Sequence, residues 1–250
     1  MLLIPIQTPL LRSGDDLATI LQKHGAIQAG DIVVISSKAV ATTEGAAIDL
    51  SKMKATEEAE EWNKKTGRSP EFCETVLNEL KRLHGKAVGH CPGAILTEVK
   101  PEGLAVGTIL TANAGLDESN VEKGKAIGWP RDPMTSAKKL RDALGGKIGI
   151  LITDSCCRPR RLGVTAFALV TAGVDPLVSL KGREDLYGEK MRITTEAVAD
   201  QLATAANMLM GNEAQAVPAV IVRDHGIELS DVAGWVPGIE PAEDLFRGIL

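Results

Sequence analysis

The sequence contains no apolar stretch approaching the roughly 20 residues needed to cross a bilayer. Its opening residues, "MLLIPIQTPL", lack a basic leader and a small-residue cleavage site. A membrane span and an export signal are not expected, and the cytoplasm is the expected compartment. Blocks of one charge are also missing. The formal net charge is −5, with acidic and basic residues interspersed, which provides no sequence-independent grip on a nucleic-acid backbone or an anionic membrane. The expected partner is a small molecule.

Cysteine is scarce. Cys73, Cys91, Cys156 and Cys157 have neither metal-knuckle spacing nor the density of a disulfide scaffold. A bond between the adjacent Cys156 and Cys157 would strain the intervening peptide, so both read as reduced thiols filling space behind a turn. Several catalytic signatures are absent too: no G-x-x-x-x-G-K-[ST] phosphate loop, no G-x-S-x-G nucleophile elbow and no H-E-x-x-H zinc helix. The four histidines are scattered. Any nucleotide is therefore bound in an uncommon way, and no catalytic acid, base or nucleophile stands out. Internal repeats and low-complexity linkers are lacking as well.

What is present is the composition of a soluble globular chain. Of its 250 residues, 44% are apolar and 24% charged, enough to bury a sizeable core as one large domain or two lobes folded together. "SGDDLATILQKHG" places Leu17, Ile20 and Leu21 on one helical face, with Gly25 as a stop. "TEEAEEWNKKTG" and "SPEFCETVLNELKRLHG" read as two more helices. In the second, Ser69 caps, Pro70 takes the first position, and Phe72, Val76, Leu77, Leu80 and Leu83 form the stripe. The carboxylates of both are assigned to solvated faces.

Strands are expected at 30–37, 104–112, 147–154, 164–173 and 218–224, with a long helix from a threonine cap in "TTEAVADQLATAANMLMG" to Gly211. Because strands and helices do not strictly alternate, the fold class is α+β, with mixed sheets and flanking helices, rather than a doubly wound sheet.

Three of these strands end in polar clusters, "SSKAVATTEG", "TANAGLDESNV" and "DSCCRPRRLG", and strand ends are where a rigid scaffold presents a site. Small residues in the second let Asp117 and Asn120 project into one space. Asp154 closes the third strand, where a buried carboxylate needs a partner. A magnesium or manganese ion shared by Asp117 and Asp154 would satisfy both, with phosphate oxygens and water completing the shell and Ser155 adding a hydroxyl. A strand-end aspartate also serves as a helix cap or turn former, and the spacing alone leaves both readings open. Arg158, Arg160 and Arg161 carry donor forks suited to phosphate or carboxylate, or form a solvated basic turn.

Taken in order, "GDIVVISSKAVATTEG", "TANAGLDESNV", "GWPRDPMTSAKKLRDAL", "GILITDSCCRPRRLGVTAFAL", "GREDLYGEKMRITTEAVADQLATAANMLMG" and "VPAVIVRDHG" resemble the coenzyme F-420 glutamate ligase family. The resemblance is strongest over 1–226 and treats 1–250 as a single domain. It implies an α+β fold of two interlocked lobes in an intertwined homodimer. It also implies a metal- and GTP- or ATP-dependent ligase that joins L-glutamate to an acceptor carboxylate, by default that of the deazaflavin coenzyme, through an acyl phosphate.

By the same resemblance, Asp117, Asp154 and Ser155 hold metal. Thr8, Pro9, Leu10, Leu11, Ser37, Lys38, Asn120, Met210, Gly211 and Asn212 line the nucleotide, and the arginines form a wall near substrate. Departures from the family pattern sit at Ala41 and Thr42, where Ser-Lys is usual; at Asn212, where an acid is expected and Glu213 follows one place later as the substitute ligand; and at Cys157, in place of glycine. Other acceptors, glutamate polymerisation, a two-metal phosphate hydrolase and a silent binding protein remain as alternatives.

Overall fold

The computed structural model describes residues 1–248. In chain order its elements are β1 (Leu2–Ile6), α1 (Leu17–His24), β2 (Ile32–Ser36), α2 (Ser37–Thr43), β3 (Ile48–Asp49), α3 (Glu57–Thr66), α4 (Pro70–Arg82), β4 (Lys86–Cys91), β5 (Ala94–Val99) and β6 (Ile109–Ala112). There follow β7 (Lys125–Ala126), α5 (Pro133–Ala143), β8 (Gly149–Cys157), β9 (Val164–Val174), β10 (Val178–Ser179), β11 (Thr195–Glu196), α6 (Val198–Met210), β12 (Ala219–Arg223) and β13 (Leu229–Trp235).

A six-stranded mixed sheet runs β1-β12-β2-β8-β9-β13. Only the central β2–β8 pair is parallel; the remaining pairs are antiparallel. Side chains alternate across a strand, and both faces are covered. Ile32, Val34, Leu151, Val220 and Val222 pack with α6 through Ala199, Leu202, Ala203 and Ala206. Val33, Ile35, Ile150, Ile152 and Ile221 enter a larger core with α1, α4, α5 and Trp129. Burial on two sides explains why these strands read as continuous apolar runs. Each such side chain contributes roughly 1.5–3 kcal/mol when taken from water. An antiparallel meander β4-β5-β6 joins the larger core through Ile95 and Val99.

Local signals hold where capping chemistry is strong. Asp16, Thr56, Ser69 and Asp132 each accept a hydrogen bond from a backbone N–H in the first turn of α1, α3, α4 and α5, satisfying donors that a helix start leaves free. The stripe of α4 is buried as expected.

Four expectations are corrected. First, Glu74 and Glu79 of α4 are buried. Glu74 accepts from the Thr56 N–H and hydroxyl at 3.0 and 2.6 Å, and Glu79 pairs with Arg82 and Arg131, so each carboxylate is partnered instead of solvated. Second, α6 starts at Val198 without a side-chain cap, because Thr195 and Glu196 pair with Ser179 and Val178. Third, the strand expected over 104–112 shrinks to β6. Gly107 has φ +74, and a Cβ there would lie 2.4 Å from backbone atoms of Gly238 and Ile239, so the chain turns at this crossing. Fourth, β8 does not stop at Asp154 but continues to Cys157, paired through Cys157↔Val164. The two cysteines are strand residues, not filler behind a turn, and all four thiols are free.

Candidate functional site

The parallel β2–β8 pair builds the site. β2 passes straight into α2 at Ser37, which carries Lys38, Ala39 and Thr42 into the wall of a cleft of about 510 Å³. Thr153, Asp154 and Ser155 come from β8. The loop after β6 supplies Asp117, Ser119 and Asn120. Opposite stand Thr8, Pro9, Leu10 and Leu11, together with the end of α6 and its exit at Met210, Gly211, Asn212 and Glu213. Thus every residue expected to hold metal or nucleotide lines one cleft, except Ser37. Ser37 is buried, and its hydroxyl helps to stabilise the Asp154 carboxylate.

Asp154 sits mid-strand beside the larger core. Its Oδ2 accepts from Trp129 Nε1 at 2.7 Å and its Oδ1 from the Ser155 N–H at 2.9 Å. It has no ion-pair partner within 4.0 Å among the described residues. Burial pushes its carboxyl above the ordinary carboxylate value, against the Trp129 and Ser155 hydrogen bonds and the Lys38 charge. An acid perturbed by desolvation in a cleft marks a functional candidate.

Trp129 was not singled out from sequence, since a lone tryptophan carries no periodic signal. Gly115 leaves room for its ring. Asn113, Ala114 and Gly115 are all left-handed, at φ 53, 54 and 78, and a Cβ on Gly115 would come within 2.5 Å of Trp129 Nε1. Gly115→Ala is therefore expected to cost about 1–3 kcal/mol and to lower turnover by displacing the indole from Asp154. Thermal melts and steady-state rates test this; wild-type values for both would remove Trp129 from the account.

Asp117 has a contrasting environment. Lys38 Nζ donates to its Oδ2 and to Ser119 Oγ at 3.0 Å, while Ser119 Oγ and the Glu118 and Ser119 N–H groups also donate to Asp117. Burial works to raise this carboxyl, but the Lys38 and Ser119 hydrogen bonds and the Lys38 charge outweigh it and bring the value to about 2. The cleft thus pairs an acid held ionised with one held back from ionising, both under the field of a single lysine.

Among the described residues no three His, Cys, Asp or Glu side chains converge on one point. A cation would meet one or two carboxylates and a hydroxyl. That donor set fits magnesium or manganese, which keep water and phosphate oxygens in their shells, better than a metal needing an all-protein cage. Asp154, half-buried and without an ion-pair partner within 4.0 Å among the described residues, offers a carboxylate that added positive charge would favour.

The three arginines do not join the cleft. Arg158 lines a second cavity with Cys156 and Cys157, and Arg160 and Arg161 are exposed in the turn between β8 and β9. Burial raises the Cys156 thiol to about 11, against the pull of Arg158, so it is protonated and unreactive at neutral pH.

Comparison with known proteins gives these positions a context. The family model described as F420-0:Gamma-glutamyl ligase matches residues 5–224. "Coenzyme F420:L-glutamate ligase" of Methanothermobacter thermautotrophicus is 39% identical over 252 residues, covering 96% of both chains. The proteins of the same name from Methanopyrus kandleri and Methanocaldococcus jannaschii are 35% and 34% identical, each covering 98% of this chain and 96% of the relative. With the match spanning β1 to β12, and so every strand and loop that lines the cleft, this chain belongs to the F420-0:gamma-glutamyl ligase family.

Proposed function

We propose that the cleft is the active site of a cytoplasmic glutamate ligase that forms a γ-glutamyl amide on the deazaflavin coenzyme, using a nucleoside triphosphate and magnesium or manganese. The observation that carries the reading is the meeting of Asp117, Asp154, Lys38 and the 210–213 exit in one cleft of a chain alike to these ligases over nearly its whole length. No helix among the described residues is long and apolar enough to cross a membrane.

An acceptor carboxylate is a poor electrophile toward an amine. Phosphorylation by the γ-phosphate of GTP or ATP gives an acyl phosphate, and attack by the glutamate amine then releases phosphate and forms the amide. Positioning and electrostatics dominate such transfers. A divalent cation, when bound, neutralises charge on the phosphates. Asp154, Asp117 and Ser155 are the residues to hold it, with Glu213 within the same cleft. Lys38 brings a further positive charge to the phosphates, in the role left open at Ala41 and Thr42. Leu10, Leu11 and Met210 offer apolar surface to the base, and Asn120 a polar contact.

The functional unit is proposed to be an intertwined homodimer of interlocked lobes. Supporting this, Leu162 at the β8–β9 tip and Leu186, Tyr187 and Ile193 between β10 and β11 are fully exposed, apolar surface that a second copy would cover. A dimeric mass by light scattering is expected.

Mass spectrometry of the protein with Mg²⁺ or Mn²⁺, GTP or ATP, and L-glutamate, with and without the unglutamylated coenzyme, tests the activity. Glutamate-sized increments on the coenzyme are expected. Increments on glutamate alone would make it a polymerase, and glutamate-independent nucleotide turnover would make it a hydrolase.

A further inference from the structure

Of the three arginines left outside the cleft, Arg158 leads to the second cavity. Its volume is about 560 Å³, and it opens between β6, the far end of β8 and β9, and the segment after β13. Apolar side chains form much of its wall: Ile109, Leu110, Phe167, Ile239 and Phe246. Leu110, Ile239 and Phe246 are partly exposed, so apolar surface stands open to water there. Of the acids at the rim, Glu98 has a counter-charge and Asp200 and Asp244 are each tied to a backbone N–H. Glu98 holds Lys86 at 3.3 Å and Thr108 at 3.0 Å, Asp200 accepts from the Ala168 N–H at 2.9 Å, and Asp244 accepts from the Phe246 N–H at 2.9 Å. Arg158, in contrast, makes no side-chain hydrogen bond or ion pair among the described residues. Arg247, also in the lining, donates to the Ala242 carbonyl, so Arg158 is the guanidinium here with its whole donor fork uncommitted, and that planar fork suits carboxylate and phosphate.

The cavity is coupled to the cleft by β8 itself. Asp154 and Cys156 alternate on one face of the strand, two residues and so about 7 Å apart, with Asp154 lining the cleft and Cys156 the cavity. A second link runs through rings. Phe167, a wall of the cavity, meets Trp129 edge-on with centroids 6.3 Å apart, and Trp129 donates to Asp154.

We propose that this cavity seats the carboxylate acceptor: a ligand with a flat apolar body lies against Phe167 and Leu110, an anionic group pairs with Arg158, and the reacting carboxylate extends along β8 to the cleft. The proposal rests on the ligase reading above. It assigns the acceptor a place separate from the nucleotide and gives a role to Arg158, which follows the end of β8 four residues beyond Asp154. A free triphosphate does not suit the site, because the apolar wall gives it nothing in return for desolvation.

The test is calorimetric titration of the full-length protein with the unglutamylated coenzyme and, separately, with GTP, for the wild type, Arg158→Ala, Arg158→Lys and Leu110→Glu. Arg158→Ala is expected to weaken coenzyme binding by about tenfold or more, the size of a lost charge-assisted contact, with GTP affinity within about twofold of wild type by the same reasoning. Arg158→Lys recovers part of the loss, and Leu110→Glu repeats it through the wall. Unchanged coenzyme affinity in both Arg158→Ala and Leu110→Glu, in a protein that still glutamylates, overturns the acceptor assignment and leaves the ligase reading standing. Unchanged affinity with a halved mass in light scattering would instead assign the cavity to contact between two copies. A wild type that neither binds nor glutamylates the coenzyme removes the ligase reading itself.

Discussion

Asp154→Asn lowers glutamate ligation by about 10²–10³-fold, the usual cost of losing a preorganised charge at a reacting centre, and raises the thermal midpoint of the metal-free protein at neutral pH. The two effects share one cause. Burial holds the Asp154 carboxyl above its ordinary value of 3.8, so the ionised form is less favourable in the folded chain than in the unfolded one. Stability from this group is fully present below about pH 4 and is lost as the pH rises through the folded value. Asparagine keeps the shape and never ionises. The variant should therefore melt with the wild type in acid and above it at neutral pH, by about 2–4 °C for each kcal/mol recovered in a chain of this size.

Added Mg²⁺ or Mn²⁺ should reverse the order, since a ligand that binds only the folded wild type stabilises it in proportion to its occupancy. Melting curves from pH 4 to 8, with and without metal, provide the measurement. Full activity with unchanged metal dependence would remove Asp154 from the site. A variant less stable than wild type at neutral pH without metal would contradict the buried-charge account.

Arg223→Ala is expected to destabilise the fold by about 3–5 kcal/mol, more than Asp31→Ala. Arg223 at the end of β12 donates through Nε and one terminal nitrogen to Asp31 at 2.8 and 2.7 Å, and Asp31 also accepts from the Gln28 N–H at 2.7 Å. This fork ties the entry of β2 to the exit of its neighbour β12. The asymmetry between the two variants comes from exposure, 2% for the Asp31 side chain against 21% for that of Arg223. Removing the arginine strands a carboxylate away from water, whereas removing the aspartate leaves a guanidinium that can rotate into solvent.

Burial acts to raise the Asp31 carboxyl, but the Arg223 and Gln28 hydrogen bonds and the Arg223 charge bring it below 3.8. Its contribution is accordingly full above that value and lost as the pH falls through the lower, folded value. The stability gap between wild type and Arg223→Ala should narrow in acid, and denaturant titrations at pH 3 and 7 would measure it. Equal losses for both single variants would show that exposure does not set the cost.

Helices α1, α3 and α4 were legible because their information is local: a cap, a stripe at helical spacing and a stop lie within one short window. The central strands were legible for a related reason, since short apolar runs rich in β-branched residues and bounded by turn residues favour a strand over a helix. In "TANAGLDESN" and "ILITDSCC" the composition at once pointed to Asp117, Asn120, Asp154 and Ser155, and all four line the cleft. The burial of Glu74 and Glu79 was not legible, because their partners Thr56 and Arg131 lie 18 and 52 residues away. The same holds for Trp129, joined to Asp154 across 25 residues, and for Lys38, joined to Asp117 across 79.

By itself, then, the amino-acid sequence determined the family, the α+β class, the capped helices and the residues of chemical interest. Tertiary structure alone decided which of two aspartates has its carboxyl lowered and which has it raised, that Asp154 lies within a strand instead of closing it, and that Arg158 lines a different cavity from Asp117 and Asp154. The physical reason is range. Propensity and capping act within a few residues of the chain, whereas desolvation, ion pairing and the alternation of side chains along a paired strand depend on neighbours that folding brings together.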